Sequence, residues 1–293
     1  MTGATGFVGG HLTSRLIALG AEVHAVTRGH QTQRAHSPAW HVVDLADAEA
    51  VSSLLRSTAP DVVFHLASAV TGTRDAALVR AVLDANLISA VNLLTAAVGA
   101  PGIRLVLAGS VEETRDAEVT PSSPYAAAKS AATAYARMCH QLWDVAATVL
   151  RVAMVYGPDQ PDTTKLIPYT ILALLRGEDP ELSSGTRLVD WVYVGDVVEA
   201  FLAAADTDKA AGQVLDVGSG TQVSIRDTIE LLAAVIGGSG RPRFGAIADR
   251  PLDHAQMSDP RPTAEILRWR PETGLEEGLR RTVAWYAADR MES

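Results

Sequence analysis

The chain has 293 residues and a formal net charge of -9, with 47% apolar and only 5% aromatic residues. That length is ample for a packed core in one large or two closely packed domains, and the Ala, Val and Leu content fits a helix-rich soluble α/β protein. The negative charge argues against a nucleic-acid or anionic-membrane partner, and the single cysteine, Cys139, excludes a disulfide framework and makes a reducing cytoplasm the default compartment.

No basic segment followed by an apolar one opens the sequence, so no secretory leader is expected. The stretch Thr2-Gly3-Ala4-Thr5-Gly6-Phe7-Val8-Gly9-Gly10 precedes an apolar, helix-periodic run from His11 to Leu19. Glycines at every third position before a helix let the backbone approach a pyrophosphate, and the helix N-terminus offers N–H groups and the positive end of a dipole. The strand that should feed this turn is almost missing. Either the true start lies upstream or the sheet loses most of its first strand.

Glu22 to Thr27 reads as a short strand that ends at Arg28. Dinucleotide folds place the ribose-reading side chain about 20 residues past the glycine turn: an acid for a 2′-hydroxyl, an arginine for a 2′-phosphate. Arg28 therefore tilts the cofactor toward NADP(H), with NAD(H) possible. Trp40 to Leu45 is the next strand. Its Asp44 either accepts from an adenine amino group or caps the helix expected over Asp47 to Ser57. Asp61 to Ala67 is an apolar run that suits a parallel strand buried on both faces. A long helix near Asp75 to Val98 follows, then a strand at Ile103 to Ala108, a helix at Ser123 to Trp143 and a strand at Ala147 to Ala153. The polar residues within 81–98 mark a buried amphipathic helix and not a membrane span. Strand and helix alternate throughout, which predicts a Rossmann-type doubly wound parallel sheet.

From Tyr156 the texture changes, with Pro158, Pro161, Pro168, Gly177 and Pro180 punctuating a loop-rich region. Strand and helix at Leu188 to Ala204, a strand at Val214 to Val217, a helix at Ser224 to Ile236, irregular chain at Arg241 to Arg261 and a helix at Leu275 to Tyr286 complete the reading. Residues 1–155 form a dinucleotide-binding domain rejoined by about 189–218, and 156–293 are mainly a smaller substrate domain.

Tyr125 and Lys129 lie one turn apart on one helix face, where an ammonium would stabilise a phenolate and bring the phenol toward working pH. Ser110 stands at the tip of the preceding strand. The eight histidines have no metal-ligand spacing, so no metal is expected. Glu112 and Glu113 read as loop charges, Cys139 as a small buried hydrophobe and His65 as structural.

The glycine motif at 2–9, Asp44-Leu45, His65-Leu66-Ala67, Asn86, Gly109-Ser110, Tyr125/Lys129, Leu150-Arg151 to Pro158, Asp190 to Val197, Asp216-Val217-Gly218 and Trp269-Arg270-Pro271 together resemble the extended short-chain dehydrogenase/reductase family. Within it the chain looks like the NAD(P)-dependent epimerase/dehydratase group acting on nucleotide sugars. The resemblance implies that Gly3, Thr5, Gly6, Phe7 and Val8 line the pyrophosphate and that Asp44 and Leu45 contact adenine. It implies that Leu66, Ala67 and Ser68 flank the cofactor, that Ser110 bonds the reacting oxygen, that Tyr125 moves the proton and that Lys129 holds the nicotinamide ribose. Val111 replaces the acid of a dehydratase, and 109–113 looks more like a 4-keto-6-deoxyhexose reductase. Val189 replaces a phosphate-binding arginine, which leaves Lys165, Arg187 and Arg250, with Glu112, as candidate substrate contacts. The main expectation is NADPH-dependent reduction of a nucleotide 4-keto sugar. The alternatives are an NAD-dependent epimerase or dehydratase, reduction of a non-sugar ketone, and a cofactor-sensing module, which would be expected to lose the Tyr/Lys pair. In this family the helices at 75–98 and 123–143 form a dimer contact, so a homodimer is expected.

Overall fold

The computed structural model describes residues 1–31, 37–70, 75–116, 118–249 and 257–292. In chain order these form α1 (Phe7–Ala18), β1 (His24–Thr27), β2 (Ala39–Val42), α2 (Ala48–Thr58), β3 (Val62–His65), α3 (Val79–Leu83), a π-helical turn (Asp84–Ile88), α4 (Ser89–Val98), β4 (Arg104–Ser110), α5 (Pro124–Trp143) and β5 (Ala146–Val152). Then come β6 (Met154–Tyr156), α6 (Leu166–Leu175), β7 (Glu181–Leu182), β8 (Leu188–Tyr193), α7 (Val194–Asp206), β9 (Val214–Val217), β10 (Gln222–Ser224), α8 (Ile225–Ile236), β11 (Arg243–Phe244), α9 (Pro260–Leu267) and α10 (Leu275–Glu292). The chain divides into two compact units. The first comprises Met1–Val152, Val198–Asp216 and Arg261–Trp269, and the second comprises Ala153–Val197, Val217–Pro260 and the chain from Arg270.

The first unit is the Rossmann-type parallel sheet. β3, β4, β5 and β9 are hydrogen-bonded in that order, and β1 pairs with β2 in a parallel register. Leu105, Val106, Leu107, Ala147, Val149 and Leu150 are all buried, as befits strands covered on both faces. Leu93, Leu94, Ala132, Ala136 and Cys139 of the covering helices pack with Val51, Leu55, Leu105 and Val149 in one core cluster. The local signals are conventional. Asp47 caps α2 by accepting the Glu49 and Ala50 N–H groups, and Ser123 caps α5 ahead of Pro124.

Between β1 and β3 the sheet is carried by its first two residues. Thr2 bridges in parallel to both Val26 and His65. Its N–H donates to the Phe64 carbonyl (2.9 Å), and the Val26 N–H donates to the Met1 carbonyl (2.8 Å). The Thr2 hydroxyl is bonded to His65 Nδ1 at 2.8 Å and accepts the Ala67 N–H at 3.2 Å.

The second unit holds a three-stranded sheet ordered β10-β8-β6, a two-stranded pair β7-β11, and α6, α8 and α10 around Ile171, Ile229, Leu232 and Leu279. The short strands β7, β10 and β11 and the helix α9 are not in the sequence reading, and β8 and α6 depart from it. β8 pairs with β6 and β10, so of 189–218 it is the chain from Val198 to Asp216 that belongs to the first unit. α6 occupies a stretch read as loop-rich, because Pro168 falls in its first turn, where the missing N–H has no helical partner to lose. Buried Asp190 knots this unit together. Its carboxylate accepts the N–H groups of Ser219 (2.8 Å), Gly220 (3.1 Å) and Ser258 (3.2 Å) and both serine hydroxyls.

Candidate active site

The glycine turn is built by contacts that no side chain could enter. Gly3 has φ +71°, and a Cβ on it would lie 2.6 Å from the Ala67 nitrogen, while one on Gly9 would lie 1.9 Å from the Gly3 carbonyl oxygen. The turn closes through the Gly6 N–H on the Gly3 carbonyl at 3.0 Å. α1 then starts with no side-chain cap and no acid in its first turn. An uncapped N-terminus beside exposed Thr5 and Gly6 fits an anion, so the residues present suit a dinucleotide pyrophosphate. Phe7 and Val8 are half-buried, and the Phe7 ring stands edge-on to His11, with 5.7 Å between ring centres.

Ser110 ends β4, and Tyr125 and Lys129 sit in the first turns of α5; all three are buried. The hydroxyls of Ser110 and Ser68 lie close enough to the phenol to favour its anion. Ser110 Oγ also accepts the Glu112 N–H at 3.1 Å, which leaves its own proton for a second partner. Ser68 donates in turn to the Asn86 side-chain oxygen, and the Asn86 amide donates to the Val82 carbonyl (2.9 Å) and the Ala69 carbonyl (3.3 Å). Asn86 lies in the π-helical turn, whose extra residue aims it at the loop after β3.

The expected tuning of Tyr125 by Lys129 is not what the side chains alone produce. Burial pushes the phenol above its ordinary range, and the charges of Glu112 and Glu113 push the same way. Lys129 Nζ lies 5.8 Å from the centre of the Tyr125 ring and donates to the Ala108 carbonyl at 2.7 Å. Its own ammonium is disfavoured by burial, which lowers it to about 8 despite the Glu113 charge. Desolvation outweighs the one-turn proximity on which the sequence argument rested.

Glu113 corrects a second expectation. It is no loop charge but a fully buried carboxylate, accepting from the Ser110 N–H (2.8 Å), the Thr133 hydroxyl (2.8 Å) and Arg151 Nε (2.7 Å). Gly109 makes room for it: a Cβ there would lie 2.6 Å from Glu113 Oε1. Gly109 is also paired in register with Arg151 on β5. A glycine before the strand-tip serine and an arginine opposite it were the signals in the sequence.

Residues 1–218 match the model of the NAD-dependent epimerase/dehydratase family. The chain belongs to this family. It is 31% identical to the UDP-glucose 4-epimerase of Mycolicibacterium smegmatis over 98% of this chain and 97% of that protein. It is 28% identical to a dTDP-glucose 4,6-dehydratase of an Actinoplanes species over 99% and 98%. Among solved structures, MoeE5 in complex with UDP-glucose and NAD superposes with a TM-score of 0.86 at 30% identity, covering 100% of this chain and 98% of that one. The chain is thus an enzyme of the extended short-chain dehydrogenase/reductase type, a family that uses a nicotinamide cofactor.

The remaining family positions fall into three groups. Leu66, Ala67 and Ser68 are half-buried in the loop after β3, against the glycine turn through the close approach of Gly3 to Leu66 and Ala67. Asp44 is exposed after β2 and accepts the Ala46 N–H at 3.0 Å, the capping of α2 being done by Asp47; Leu45 is half-buried against the core. Arg28 is exposed just past β1. Of the substrate candidates, Glu112 is half-buried beside Ser110. Lys165 precedes α6 in the second unit, 3.6 Å from the Asp162 carboxylate, and Arg187 precedes β8 in the same unit. Arg250 lies outside the described residues.

Proposed function

We propose that this enzyme is an NAD-dependent nucleotide-sugar 4-epimerase. The observation that carries the reading is the buried hydroxyl pair Ser110–Tyr125 with Val111, and no carboxyl, directly after the serine. Reversible proton transfer at one sugar hydroxyl needs only that pair, whereas expulsion of water needs an acid to protonate the leaving oxygen. The 31% identical epimerase and the UDP-glucose and NAD bound by MoeE5 support the choice.

In this reading Gly3, Thr5, Gly6, Phe7 and Val8 hold the pyrophosphate, Asp44 and Leu45 lie at the adenine, and Leu66, Ala67 and Ser68 flank the cofactor. Bound NAD supplies a reversible hydride acceptor and a cationic ring. Tyr125 removes the proton of the sugar hydroxyl and returns it to the same oxygen on either face. Ser110 donates to that oxygen as it gains charge and withdraws as the charge is lost. Lys129 holds the nicotinamide ribose, and its charge opposes the upward push of burial on the phenol. Lys165, Arg187 and Arg250 are the cations offered to the nucleotide diphosphate.

Incubation with UDP-glucose alone should yield UDP-galactose, read by proton NMR, with no net change at 340 nm. Tyr125→Phe should lower the rate by about 100-fold or more, as loss of a positioned proton donor does. No new sugar nucleotide from any UDP- or dTDP-hexose would refute the reading.

Arg28 favours one second reading, NADPH-dependent reduction of a nucleotide 4-keto-6-deoxysugar. Consumption of NADPH with such a ketone, and greater thermal stabilisation by NADP than by NAD, would select it. Either enzyme is proposed to act as a homodimer. Tyr135, Met138 and Leu142 recur at helical spacing on α5 and are exposed, Leu142 by 61%, as are Leu78 and Val79 at the start of the long helix.

A further inference from the structure

We propose that Glu113 is a positioning residue for Ser110, clamping its backbone N–H so that the serine hydroxyl is held against Tyr125. This rests on the reading of Ser110 and Tyr125 as the proton-handling pair.

Three elements meet at this carboxylate. Oε1 takes the Ser110 N–H, and Oε2 takes the Thr133 hydroxyl from α5 and Arg151 Nε from β5. The turn is also closed by the Glu113 N–H on the Ser110 carbonyl at 3.1 Å. The strand tip that presents Ser110 is thereby fixed to the same helix that presents Tyr125 and Lys129. Thr114 repeats the tie one residue on, its N–H donating to Ser130 Oγ of α5 at 3.0 Å. A hydroxyl must stay aligned with a phenol to share one substrate oxygen, and a displacement of about 1 Å can cost on the order of 100-fold in rate. The clamp is a hydrogen bond to an N–H, so its reach matters more than its charge.

That distinction sets the test. Glu113→Gln keeps the oxygen that faces Ser110 and loses the charge. Glu113→Asp keeps a charge for Arg151 and falls one methylene short of the N–H. The proposal expects kcat for UDP-sugar conversion to fall about 100-fold in Glu113→Asp, with KM within about threefold, and no more than about tenfold in Glu113→Gln. Deuterium exchange at the Ser110 amide should be slow in the parent and in Glu113→Gln and fast in Glu113→Asp. A role confined to charge balance around Arg151 predicts the opposite ranking, with Asp retaining more activity than Gln. That ranking, or fast exchange at Ser110 in the parent, would overturn the clamp. If the parent converts no sugar nucleotide, the functional reading fails on its own, while the exchange comparison still decides the clamp.

Discussion

Gly9 and Gly10 are neighbours in the first turns of α1, and replacing each by alanine should have opposite effects. A Cβ on Gly9 would lie 1.9 Å from the Gly3 carbonyl oxygen and 2.7 Å from the Gly3 carbonyl carbon. The first distance is roughly 1.5 Å inside ordinary contact, and the obstacle is backbone, which cannot rotate away as a side chain can. Overpacking of this kind costs about 3 kcal/mol, offset by about 1 kcal/mol from the better helix propensity of alanine. The net loss of about 2 kcal/mol should lower the melting temperature by roughly 4–8 °C. On Gly10 the nearest atom to a new Cβ is the Ala4 carbonyl oxygen at 3.8 Å, so only the propensity gain of about 1 kcal/mol remains, and the melting temperature should rise by about 2–4 °C. Thermal unfolding followed by near-ultraviolet circular dichroism, with and without NAD, measures both. The Gly9 variant should also lose stabilisation by the dinucleotide, because the displaced Gly3 carbonyl anchors the turn. A Gly9→Ala protein that melts with the parent and still binds NAD would refute the packing argument.

Lys129 is expected to be a stability cost at neutral pH. Its folded value of about 8 lies below the ordinary 10.5, so the unfolded chain binds more protons between these values. The contribution of Lys129 is therefore most favourable above 10.5 and is lost as pH falls to 8, by on the order of 3 kcal/mol. Lys129→Met should melt higher than the parent at pH 7, with a margin that shrinks at pH 10, while losing activity. His65 works at the other end of the scale: burial, then Lys129, lowers it from 6.5 to about 3. Its stabilising contribution is complete above 6.5 and is lost toward 3, so His65→Gln should flatten the fall in melting temperature on acidification. Leu142→Glu should convert the protein to a monomer in light scattering at micromolar concentration; a monomeric parent would remove the dimer proposal.

The βαβ alternation was legible because each buried strand is a short apolar run and three of the helices, α2, α5 and α8, start at a readable cap, Asp47, Ser123 or Ser224. The glycine turn and the Tyr125–Lys129 pair were legible because their chemistry depends on spacing along the chain. What escaped depends on neighbours distant in sequence. Glu113 reads as a surface acid until β5 brings Arg151 opposite Gly109. Lys129 reads as an activator until burial is counted against it. The π-helical turn leaves no periodicity signal, since one extra residue changes the phase of a helix without changing its composition. α6 was hidden by Pro168, a residue harmless in a first turn and prohibitive three residues later.

Among the described residues, the hydrogen bonding that laces β1 and β2 to the other four strands passes through Met1 and Thr2. Met1 and Thr2 thus form the seam between the β1–β2 pair and the four-stranded part of the sheet. Heating or pressure would part it there first, releasing the amides of 24–27 and 39–42 ahead of those in 104–110. On the proposed reading the panel that bears Arg28 holds the adenosine end of the cofactor, and the bonds of Met1 and Thr2 tie it to the panel that bears Ser110.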